Sequence, residues 1–143
     1  MHLGRNSSAT SQLFKLGLLW VAACLSLPSM AGALLQCDVS YAGTTHKLKA
    51  TPTLDPYSVQ PIDIGGRFFF KMVLTETNAK LDHVLIYAYL DQEPRPLILQ
   101  QAKYKGPFPV STQPYLLTGE QHVYGGPIER ELTYSCWLST AAP

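Results

Sequence analysis

The side chains with the greatest chemical potential are four histidines, three of them beyond residue 33, three cysteines and a scatter of carboxylates. His46, His83 and His122 are the imidazoles beyond residue 33, and no two stand within five positions of each other. Zinc motifs such as H-x-H and H-E-x-x-H need a short spacing so that one helix or strand presents both ligands, and neither motif occurs. A copper or zinc accessory role is the alternative reading, in which the fold itself would have to gather these scattered histidines. Met72, the one methionine after residue 33, reads as core, and no metal site is assigned.

Nucleophilic catalysis has little to work with. Ser40, Ser58, Ser111, Ser135 and Ser139 lie outside any G-x-S-x-G elbow. Glu129 and Glu131 share one strand face and could resemble the carboxylate pair of a glycosidase, yet a solvated strand face is the better reading. Gly65-Gly66 and Gly125-Gly126 lack the G-x-x-x-x-G-K pattern of a phosphate loop. The chain is therefore read as non-catalytic and without a cofactor.

Cysteine spacing says more. Cys37 and Cys136 are 99 positions apart, and no C-x-x-C is present, so a redox pair is disfavoured and a structural disulfide expected. The third cysteine, Cys24, lies in a different context. Residues 1–33 run from a basic start (Arg5, Lys15) through the apolar stretch Leu16 to Leu27, to Pro28 and the small residues Ala31-Gly32-Ala33. That is the layout of a signal peptide, and the apolar stretch is shorter than the roughly 20 residues of a spanning helix. The expectation is export to a periplasmic or extracellular space, with residues 34–143 as one domain. Val21-Ala22-Ala23-Cys24 also resembles a lipoprotein box, which would leave the chain lipid-anchored through Cys24.

The segment 34–143 carries nine Lys and Arg against ten Asp and Glu, a net charge of −1. No clustered basic stretch suggests nucleic acid or an anionic membrane. The expected partner is a periplasmic or envelope protein or a small ligand.

Eight tyrosines are a high count for such a segment. Tyr87 and Tyr89 share one face of their strand. Tyr104, Phe108 and Tyr115 flank the proline-rich stretch Lys105 to Pro114, with Lys103 beside them. These six residues, Tyr87, Tyr89, Lys103, Tyr104, Phe108 and Tyr115, are the candidate binding surface, because tyrosine brings apolar area and a polar tip together. Filling a core or rim is the competing use. Asp63 and Arg67 flank Ile64-Gly65-Gly66 and form either a turn with its cap or a polar recognition pair.

The elements that must position these groups read as strands. Ten prolines and seven glycines punctuate residues 34–143, leaving no room for helices of useful length. Alternation places Cys37, Val39 and Tyr41 on one strand face from Leu35 to Ala42. His46 to Thr51 can return beside that strand, and a short edge strand is expected around Tyr57 to Val59. Arg67 to Glu76 turns Phe68, Phe70, Met72 and Leu74 one way. His83 to Asp91 does the same with Val84, Ile86, Ala88 and Leu90, completing a hairpin. Leu97 to Tyr104, two short pieces split at Gly119, and Glu129 to Leu138 follow. The fold class is all-β: a small antiparallel sandwich, immunoglobulin-like in outline with about seven strands, and one disulfide joining the first and last strands. Whether that bridge lies within a sheet or between sheets is open at this stage.

Overall fold

A computed structural model describes residues 32–140, so residues 1–31 of the leader-like segment, Cys24 among them, lie outside the described residues, while Ala33 at its end is buried against the core. Nine strands form two antiparallel sheets: β1 (Leu34–Tyr41), β2 (Thr44–Ala50), β3 (Ile62–Ile64), β4 (Phe68–Thr77), β5 (Lys80–Leu90), β6 (Leu97–Lys105), β7 (Ser111–Leu116), β8 (Gln121–Gly125) and β9 (Arg130–Thr140). One sheet runs β2-β1-β9-β7, and β8 also pairs with β9. The other is the meander β3-β4-β5-β6. Among the described residues no helix is long and apolar enough to cross a membrane.

The alternating residues pack the sheets against each other. Phe68, Phe70 and Leu74 of β4 are fully buried, as is Val84 of β5, with Met72, Ile86 and Ala88 nearly so. Opposite them, Leu35, Cys37 and Val39 of β1 meet Leu132, Tyr134, Cys136 and Leu138 of β9 in the same core. Each large apolar side chain buried this way contributes about 1.5–3 kcal/mol. Phe70 and Tyr134 meet edge to face, with ring centroids 5.0 Å apart.

The disulfide question has a clear answer. Cys37 and Cys136 stand directly opposite each other on β1 and β9, within one sheet, with Cα atoms 4.1 Å apart. The Cys136 N–H donates to Thr118 Oγ1 at 2.9 Å, and its carbonyl accepts the Leu117 N–H at 2.8 Å. Both groups thus turn away from β1, leaving Cys37 and Cys136 as a non-hydrogen-bonded pair, the closer of the two antiparallel pair types. The bridge therefore differs from the inter-sheet disulfide of antibody domains.

Polar groups add a second tie between the sheets. The Tyr134 hydroxyl of β9 donates to Gln100 Oε1 of β6 at 2.8 Å. Gln100 and Gln121 side chains then meet at 3.4 Å, and Gln121 Nε2 donates to the Thr118 carbonyl at 2.9 Å. Burial pushes the Tyr134 phenol strongly up, with a smaller contribution from Tyr104.

The expected edge strand changes place. Tyr57 to Val59 is a turn and not a strand, because Asp55 organises it: its carboxylate accepts the Tyr57 N–H at 3.0 Å, and its carbonyl accepts Ser58 N–H at 3.3 Å. The edge strand is instead Ile62–Ile64, paired with Phe68–Phe70. Ser111 to Pro114 belongs to β7 despite the prolines that precede it, since an outer strand tolerates a missing donor. The β4–β5 hairpin closes in two residues, Asn78 and Ala79, both with positive φ (52° and 57°), as a type I′ turn requires.

Candidate functional site

The two sheets turn their outer faces to solvent, and the candidate residues separate between those faces and the interior. On β4 the outward set is Phe69, Lys71, Val73 and Thr75; on β5 it is His83, Leu85, Tyr87 and Tyr89. Strand pairing aligns them with β6 in four cross-strand rows. From one end these are Phe69-Tyr89-Ile98, Lys71-Tyr87-Gln101, Val73-Leu85-Lys103 and Thr75-His83-Lys105. Directly opposed residues in such rows have Cβ atoms about 4.5–5.5 Å apart, so the members of each row are cross-strand neighbours.

Tyr87 and Tyr89 lie on the middle strand of this face, in its second and first rows. Their rings lie nearly parallel, 21° between planes, with centroids 6.1 Å apart. Both are half-buried. Burial raises the Tyr89 phenol above its ordinary value, with a smaller push from Tyr87. Lys71 adjoins Tyr87, and Lys103 is exposed in the next row. Among the described residues Lys71, Lys103 and Lys105 form no ion pair. Asp82 is engaged by His83 Nδ1 at 2.7 Å.

The other sequence candidates lie elsewhere. Tyr104 points inward from β6 and packs against the core, as do Phe108 and Tyr115. Burial raises the phenols of Tyr104 and Tyr115. The Tyr115 hydroxyl is buried without a hydrogen-bond partner among the described residues. The six-residue grouping thus divides into three at the outer face and three packed on the interior.

Asp63 and Arg67 do not form a pair among the described residues. Asp63 Oδ1 instead accepts the Gly66 N–H at 2.6 Å, closing the β3–β4 turn. Gly65 has φ +65°, and a Cβ there would come within 2.8 Å of the Tyr41 ring. The segment is shaped to dock on Tyr41, whose ring meets Phe68 edge to face and whose hydroxyl accepts Arg130 Nη1 at 2.7 Å.

The three histidines project from three different surfaces. His46 shares the inward side of β2 with Leu48 and Ala50, His83 is on the outer face of β5, and His122 is exposed on the opposite sheet. Among the described residues no three metal-ligating groups converge.

His122 has a role that its spacing gave no sign of. Its Nδ1 meets Glu131 Oε1 at 2.5 Å and its Nε2 meets Glu120 Oε1 at 3.0 Å. Tyr124 donates its hydroxyl to the same Glu131 oxygen at 2.8 Å. The Glu131 hydrogen bond is the leading cause that raises His122 and lowers Glu131 from their ordinary values. Both ring nitrogens thus face carboxylates, an arrangement that favours the protonated imidazole. Glu129, by contrast, has φ 47° in the turn before β9 and shares no strand face with Glu131.

Clefts open away from the tyrosine face. One of about 300 Å³ lies at the sandwich end among Ala33, Leu81, Phe108 and Val110. Two shallower ones flank Trp137 on the outer side of β1 and β9. Trp137 is a half-buried aromatic that sequence reasoning passed over; the alternation that buries Cys136 and Leu138 was the signal that would have turned it outward.

No family model matches the chain, and no curated protein or solved structure does either. The functional reading rests on the chain's own geometry.

Proposed function

We propose that this chain is an exported, non-catalytic binding module of the periplasm or envelope, and that it works through the outer face of β4, β5 and β6. The observation that carries the reading is the Tyr87–Tyr89 pair, held side by side on a solvent-facing sheet while the core is filled without them. Two large amphipathic rings beside unpaired lysines supply the mixture of apolar area and polar reach that recognition surfaces use. The buried Cys37–Cys136 bridge supports placement in an oxidising compartment. Export through residues 1–33, with lipidation at Cys24 as the other processing route, completes the proposal.

A metal accessory role draws no support from the geometry, since His46, His83 and His122 occupy separate surfaces. The test is retention of the purified protein by its own envelope fraction. Tyr87→Ala with Tyr89→Ala should abolish retention, whereas Thr133→Ala on the opposite sheet should leave it intact. Equal retention of all three proteins would overturn the assignment of the surface.

A further inference from the structure

The outer face of β4, β5 and β6 also carries information about what it binds. We propose that its ligand is a linear acidic polysaccharide, laid across Tyr87 and Tyr89 with its carboxylates toward Lys71, Lys103 and Lys105. The proposal rests on the reading of this face as the binding surface.

Charge comes first. Three ammonium groups stand on the face without an ion-pair partner among the described residues, although residues 34–143 carry a net charge of −1. Against them stands one outward carboxylate, Asp63, opposite Phe69 at the edge of the face with one oxygen on the Gly66 N–H, while Asp82 is held by His83 at the far end, so the lysines outnumber the acids here. An anionic partner is the complement of that arrangement.

Size and shape narrow the class of anion. The four rows hold twelve outward positions, from Phe69 to Thr75 on β4 and their partners on β5 and β6, of which Val73 is buried and eleven are open or half-open to solvent. A specific protein interface takes roughly 20–30 residues a side and is depleted of lysine at its centre. Here Lys71 adjoins Tyr87 on the middle strand. A compact small molecule would need a cleft that encloses most of its surface. The best-formed clefts among the described residues open elsewhere: by Phe108 and Val110, Trp137, or Gly125. An extended polymer needs neither a large interface nor a cavity.

Chemistry favours sugar. The apolar C–H face of a pyranose packs on phenol rings, while its hydroxyls exchange hydrogen bonds with tyrosine hydroxyls and with Gln101. Carboxylates along the chain take the lysines as point charges. Single-stranded nucleic acid combines stacking and charge in a similar way, but a buried structural disulfide is rare in the cytosolic and nuclear spaces where nucleic acid is held.

Polygalacturonate, dextran, poly-glutamate and single-stranded DNA distinguish these cases in affinity electrophoresis of the purified protein. Polygalacturonate should bind and dextran should not. Binding should fall at least tenfold as salt rises from about 0.05 to about 0.5 M, as screening requires. It should fall at least tenfold in the Lys71→Gln, Lys103→Gln, Lys105→Gln triple variant and in Tyr87→Ala with Tyr89→Ala. A triple Lys→Arg variant should bind like the parent, which separates lost charge from lost folding. Tighter binding of poly-glutamate or DNA, or binding indifferent to the lysines, would overturn the proposal. If polygalacturonate fails while envelope retention still depends on Tyr87 and Tyr89, the ligand class is wrong and the surface stands. Failure of both removes both readings.

Discussion

Removing the Cys37–Cys136 bridge should cost this domain a large share of its stability and make its unfolded state larger. The bridge spans 99 positions and ties β1 to β9, so nearly all of the described chain lies inside the loop it closes. Chain-closure entropy for a loop of that size is about 4–5 kcal/mol, a model-dependent upper figure against the 5–15 kcal/mol of whole domains. Both sulfurs are also core atoms, since Cys37 and Cys136 are 1% and 0% exposed. Cys37→Ala with Cys136→Ala therefore adds a packing loss of about 1 kcal/mol per missing buried atom to the lost cross-link. The reduced wild-type protein keeps the sulfurs and isolates the cross-link alone.

Urea unfolding followed by Trp137 fluorescence compares the three forms, because Trp137 is the only tryptophan after residue 33. We expect the reduced protein to lose about 3–5 kcal/mol and the double variant about 1–2 kcal/mol more. The m-value should rise in both, since an unfolded chain without the cross-link exposes more surface. A loss under about 1 kcal/mol with an unchanged m-value would refute the reasoning. It would mean that the β1–β9 ladder closes the domain by itself.

Three further outcomes follow from local geometry. Gly65→Ala should destabilise by about 2 kcal/mol or more and Gly66→Ala by only about 1. Both have positive φ, but only at Gly65 does the new methyl meet the Tyr41 ring; urea unfolding of the pair checks this. Tyr134→Phe should cost about 1–2 kcal/mol, because it strips the Gln100 carbonyl of its donor within the core. His122 should titrate above its ordinary value of 6.5 in an NMR pH series and fall back toward it in Glu131→Gln. The sign follows from the raised imidazole and lowered carboxylate. The His122 contribution is complete below pH 6.5 and is lost as pH rises through its raised value. The Glu131 contribution is complete above 4.5 and is lost as pH falls through its lowered value.

Much of the fold was legible because its strands alternate cleanly. Phe68, Phe70, Met72 and Leu74, and their partners Leu90, Ala88, Ile86 and Val84, are the residues that a period of two turns inward, and all eight are buried. The cysteine pair was legible for a different reason, Cys37 and Cys136 being the only cysteines after residue 33. What spacing does not encode is which strands become neighbours. The placement of β9 beside β1 decides that the disulfide is intra-sheet, and it arises from pairing across the whole length of the domain. The same gap hid the His122 network, whose Glu131 comes from a different strand. Parity alone turned Tyr87 outward, but the inward position of Tyr104 depends on the β5–β6 register, which shifts between Ala88 and Tyr89. Turn chemistry misled where Asp55 held Tyr57 in a bend that composition could not tell from an edge strand.

The most direct test of the central claim uses a photo-crosslinking residue on each outer face, in the organism's own envelope. Placed at Gln101, beside Tyr87, it should yield an adduct that disappears when Tyr87 and Tyr89 are both changed to Ala. Placed at Thr133 on β9, facing solvent from the other sheet, it should yield none. Adducts from Thr133 with none from Gln101 would contradict the account, as would a Gln101 adduct indifferent to the two tyrosines.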